Sequence, residues 1–146
     1  MRCWNKVLLS ASLSLLLLSA GCTKKVDASG TWGGHMNGEH GDKQGTSDVE
    51  VVLNNSRHGV EGTVKLHNST EGWGLLEGET LIVHSGNISG NQVSFQADKS
   101  LPGGSVAAEF KGKVEGNTWN GNVDVSIGSV MGGDTYIGNF ELTKKQ

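Results

Sequence analysis

The chain has 146 residues, a formal net charge of −3, two cysteines, 23 glycines and one proline. That length makes one domain, and a mildly acidic balance with no basic stripe argues against a nucleic-acid partner. Leu, Ile, Val and Phe supply about 22% of the residues from Cys22 onward, just above the composition at which chains stop folding.

The chain opens with a basic flank, Arg2 and Lys6, followed by an uncharged, mostly apolar run from Val7 to Leu18 and the small residues Ser19, Ala20 and Gly21. A basic start, an apolar stretch of this length and a small-residue exit describe an export signal over residues 1–21. The 17 uncharged residues between Lys6 and Lys24 are short for a membrane span, which disfavours an uncleaved anchor helix. Leu18-Ser19-Ala20-Gly21-Cys22 resembles the lipobox of bacterial lipoproteins, with Ser19 where that family usually has Leu. The resemblance implies cleavage before Cys22, a thioether lipid on its sulfur and acylation of the new amine. Each buried methylene contributes about 0.8 kcal/mol, so two or three acyl chains would hold the protein on a membrane. Thr23 follows the cysteine, where similar proteins retained at the inner membrane carry Asp. The resemblance therefore implies the outer membrane, with the domain facing the periplasm.

Cleavage removes Cys3, and lipid consumes Cys22. The mature chain then has ten Lys and Arg against fifteen Asp and Glu, and no thiol for catalysis or metal binding. Residues 22–27 read as a polar tether too hydrophilic to pack, and residues 28–146 as the domain.

Beyond Ala28 there is no helical periodicity. Short alternating runs separated by Gly, Asn, Asp and Ser predict strands at Gly30–Met36, Asp48–Leu53, Val60–His67, Leu81–Ile88, Gln92–Ala97, Val106–Glu115, Trp119–Ile127 and Thr135–Leu142. One wet face and one buried face indicate antiparallel sheet. Gly90-Asn91 and Gly116-Asn117 repeat as turn signals, since both residues accept the positive φ of tight hairpins. Gly132-Gly133-Asp134 marks a further break. Strands joined by hairpins without crossover helices should meander, so the predicted fold is all-β: a single eight-stranded antiparallel up-and-down barrel, with a two-sheet β-sandwich as the alternative. The predicted interior comprises Val49, Val51, Leu53, Val64, Leu66, Phe95, Phe110, Trp119, Val123, Val125, Tyr136 and Phe140. Those groups are enough to fill a small barrel.

Gly30-Thr31-Trp32 resembles the G-x-W start of lipocalins and related calycin barrels, in which the Trp plugs one end. Lipocalins also carry a basic residue near the end of the chain that packs on this Trp, and Lys144 is a loose stand-in. Gly62-Thr63 and Thr118-Trp119-Asn120-Gly121 are similar to avidin strands, but the avidin pocket tryptophans and final-strand acid are not matched. A biotin site does not carry over.

Residues His35 to Asp42 gather two imidazoles and two carboxylates, but no spacing fixes two ligands on one rigid element. They read as a solvated hairpin loop, and no metal or other cofactor is expected. His58, His67 and His84 are scattered singly. No nucleophile motif is present, and Glu77 and Glu79 lie on a polar loop, so the chain reads as non-enzymatic. The longest connection, Asn68 to Thr80, holds Trp73, Leu75 and Leu76 between glycines. Such a loop either presents an apolar anchor to a partner or folds back to plug the barrel. The expected function is a lipid-anchored envelope module that binds or inhibits a protein partner through Trp73, Leu75 and Leu76. The alternative is a carrier of a small apolar ligand.

Overall fold

A computed structural model describes residues 24–146 other than His58, and the side chain of Glu71 also lies outside the description. The signal segment and Cys22 are therefore outside the described residues. Eight strands form a closed antiparallel barrel in chain order: β1 (Gly30–His40), β2 (Lys43–Ser56), β3 (Gly59–Glu71), β4 (Thr80–Ser89), β5 (Gln92–Leu101), β6 (Gly104–Glu115), β7 (Thr118–Ser129) and β8 (Gly132–Lys144). Closure is made by β1 against β8, from Trp32 opposite Lys144 to Glu39 opposite Ile137. Every strand pairs on both sides, so the sheet presents no edge, and the two-sheet sandwich does not occur.

The alternation read in the sequence sets the two faces. Val49, Val51 and Leu53 in β2, and Val106, Ala108, Phe110 and Val114 in β6, point inward and are buried. Their neighbours Glu50, Glu109 and Lys111 point outward and form ion pairs on the surface. All twelve predicted interior residues are buried.

The strands run longer than the hydrophobic pattern. β1 continues through His40, so the stretch read as a solvated loop is mostly strand, and only Gly41 and Asp42 turn. Its inward positions there are Met36 and the side-chain-free Gly38, which hides the alternation. β8 begins at Gly132, and the preceding turn is Val130-Met131 instead of the glycine pair that follows it. In the turns Gly90-Asn91 and Gly116-Asn117 only the glycines take positive φ, 60° in each case. Glycine first with positive φ is the pattern of a type II′ hairpin turn.

Antiparallel order divides the turns between two poles. The entering segment, the chain's end and the turns after β2, β4 and β6 share the proximal pole. The turns after β1, β5 and β7 and the β3–β4 connection form the distal pole. At the proximal pole Trp32 meets Trp119 edge-on, with centroids 5.7 Å apart, and its Nε1–H donates to the Ala28 carbonyl at 2.9 Å. Lys144 lies over the Trp32 ring, Nζ 5.6 Å from the centroid. Phe95, Phe110, Phe140 and Trp119 touch one another along the axis, with centroid separations of 4.9–5.6 Å. The barrel is thus filled by its own rings, an architecture compatible with a calycin-type barrel.

The entering segment docks where a free tether was expected. Val26 N–H donates to the Gly90 carbonyl at 2.7 Å, and the Val26 side chain packs against the core. Ala28 is fully buried, and Asp27 accepts hydrogen bonds from Ser29 and Asn55.

Candidate functional site

The β3–β4 connection closes the distal pole. Its one regular element is a single 3-10 turn, Gly74–Leu76. The segment is stitched down at several points: Gly72 N–H donates to the Gln44 carbonyl, Gly78 N–H to the Leu66 carbonyl, and Ser69 N–H to the Glu77 carboxylate at 2.6 Å. Glu79 pairs with Lys99. These contacts, more than solvation alone, account for the two glutamates.

The three apolar residues of this connection divide. Trp73 and Leu76 are fully buried, whereas Leu75 is 72% exposed. Trp73 lies edge-on to Tyr136, centroids 5.8 Å apart. It occupies a slot that exists because two inward positions lack side chains. A Cβ on Gly38 would come within 2.7 Å of Trp73 Cζ2, and one on Gly45 would overlap the indole itself. Trp73 and Leu76 therefore hold the connection in place and set the position of Leu75.

Two exposed apolar residues that the sequence reading passed over share this pole. Val130 and Met131, the tip of the β7–β8 hairpin, are 92% and 97% exposed. The tips at Gly41-Asp42, Gly90-Asn91 and Gly116-Asn117 use residues that turns favour. Val and Met are not such residues, and at this exposure they contribute no packing. Asking which hairpin tip lacks turn-forming residues would have found them. The described turns of the proximal pole, by contrast, are polar.

A second feature lies on the barrel's flank. Outward residues of β7, β8, β1 and β2 line a groove of about 980 Å³. One row across it runs Asn122, Asn139, Asn37, Thr46, and the next runs Asn120, Glu141, His35, Asp48. His35 Nδ1 contacts Asp48 Oδ1 at 2.5 Å, and Asn68 Nδ2 donates to Asp48 Oδ2 at 2.7 Å. The Asn68 amide first, and then the His35 imidazole, hold the Asp48 carboxyl below the ordinary aspartate range. Asn68 reaches this position with φ of 49°, a conformation that asparagine tolerates better than most residues. Two further histidines pair with acids on the surface, His40 with Asp134 at 3.3 Å and His84 with Asp98 at 3.4 Å. Among the described residues no group of three or more His, Cys, Asp or Glu side chains is placed to hold a metal ion.

No protein-family model matches the chain, and no curated protein or solved structure shows significant similarity to it.

Proposed function

We propose that the chain is a lipoprotein of the bacterial cell envelope, anchored through Cys22 to the outer membrane and facing the periplasm, that serves as a non-catalytic binding or inhibitory module for a protein partner. The observation that carries this reading is where the most exposed apolar groups lie. Leu75, Val130 and Met131 all belong to the pole opposite the one where the anchored segment enters, while the less exposed Ile82 and Ile137 stand singly on β4 and β8. Apolar side chains placed on stitched-down turns are what a protein partner buries. The contacting rings along the axis favour this function over carriage of a small ligand inside the barrel.

Site-specific photo-crosslinking in intact membranes tests the partner. A benzoylphenylalanine at Leu75 or Met131 is expected to give one discrete adduct, and one at Asn91 or Asn117 none. Leu75→Asp combined with Met131→Asp should abolish the adduct without lowering the melting temperature. Absence of rim adducts, or the same pattern from both poles, overturns the reading. The anchor is tested separately: Cys22→Ser should move the protein from the membrane to the soluble fraction.

A further inference from the structure

We infer that the flank groove across β7, β8, β1 and β2 is a binding site for a neutral polyhydroxylated ligand, a glycan strand, separate from the apolar distal rim. Several outward side chains of the groove are left unsatisfied. Asn120, Asn122 and Asn139 present carboxamides, and Glu141 a carboxylate, that make no side-chain hydrogen bond to the described residues. Asn37 uses only its carbonyl oxygen, which accepts from the Asn139 backbone at 3.3 Å, and keeps its amide donors free.

These groups stand on adjacent paired strands, so neighbours across a row are about 5 Å apart and fixed by the ladder beneath them. Each free carboxamide offers both donors and an acceptor, the complement of hydroxyls that donate and accept at once. Solvent would satisfy the same groups, but a groove of about 980 Å³ gathers them on a concave surface.

The other ligand classes fit less well. Met36 and Phe140 lie at the floor only 2% and 3% exposed, so the groove offers an apolar partner no anchor. An extended peptide recognised by strand addition needs a free sheet edge, and the closed barrel has none. Phosphate- or carboxylate-rich ligands would meet Glu141 and Asp48, while the adjoining Lys111 and Lys113 are engaged by Glu109 and Glu115. A cation would find Asp48 already engaged by Asn68 and His35. Hydroxyl-rich neutral chemistry matches what remains.

The test is a titration of the full ¹⁵N-labelled chain in detergent with cellotetraose, chitotetraose and maltotetraose, and with tetragalacturonate as the anionic counterpart. At least one neutral tetrasaccharide should shift the side-chain amide signals of Asn37, Asn120, Asn122 and Asn139, and tetragalacturonate should not. Asn122→Ala and Asn139→Ala should each weaken that binding about fivefold, the loss of one net hydrogen bond. Leu75→Asp should leave it unchanged. The isosteric Asn122→Asp and Asn139→Asp repeat the test should either alanine variant melt early. No shifts with any neutral probe, shifts confined to other surfaces, an equal response to tetragalacturonate, or unchanged binding by the variants would each overturn the inference.

Discussion

Replacing Trp73 by alanine empties a slot bounded by Gly38, Gly45 and Tyr136. Loss of a buried Trp costs about 3–5 kcal/mol, so urea denaturation of Trp73→Ala should show a midpoint well below that of the native chain. Gly45→Ala should also destabilise, because the added methyl enters the indole's space, whereas Gly41→Ala, where nothing lies within 4 Å, reports only its backbone φ of 62°. Loop and spacing show that Trp73 sits in the longest connection. They do not show that two glycines on different strands leave a berth for it. The inward alternation of β2 and β6, by contrast, is written in the residues themselves.

The exposed acids of the flank set a pH dependence whose sign is fixed. Asp48 is lowered by Asn68 and then His35, Asp134 by Lys43, and Glu50 by Lys145. A carboxyl whose folded pKa is depressed adds stability above its unfolded pKa, and this is lost as pH falls through the folded value. Stability from these groups should therefore be flat from neutrality to about pH 4 and decline below it. Asp48→Asn should flatten that acid limb in chemical denaturation measured as a function of pH, and an unaltered limb would count against the pairings.

At the scale of elements, the β7–β8 hairpin lets the proposed recognition be tested apart from stability. Val130 and Met131 turn without positive φ, held by Ser129, whose hydroxyl donates to the Gly132 carbonyl at 2.8 Å. Exchanging the pair for Asn-Gly supplies residues preferred in tight hairpins. The melting temperature should hold or rise, while the rim crosslink should disappear. Strand existence was legible from alternation, and so were the Gly-Asn turns. Strand ends were not. β1 conceals its last turns behind Gly38, and the ladder shifts between Thr46 and Asp48 depend on pairing with β3. The flank groove was least legible, because its rows join residues from β1 and β8 that lie about a hundred positions apart.

The same long-range closure governs the molecule as a whole. Nothing in β1 is fully paired until β8 arrives, so the closing seam joins the two ends of the chain while every other strand pair joins neighbours in sequence. Topologies of this kind fold in about milliseconds to seconds, and stopped-flow tryptophan fluorescence should place refolding in that range. Three of the tryptophans report directly, since Trp32 and Trp119 seat one pole and Trp73 the other.

An even number of strands brings both ends of the barrel to a single pole. Lys145 N–H donates to the Thr31 carbonyl there, so under the proposed anchoring at Cys22 a reporter fused after Gln146 would crouch beside the bilayer. Eleven residues of β1, rising about 3.3 Å each and tilted by roughly 40°, lift the opposite crown about 28 Å higher. On the proposed anchor the barrel would be a pedestal of fixed height, and a partner meeting its crown would itself have to reach to that level above the lipid.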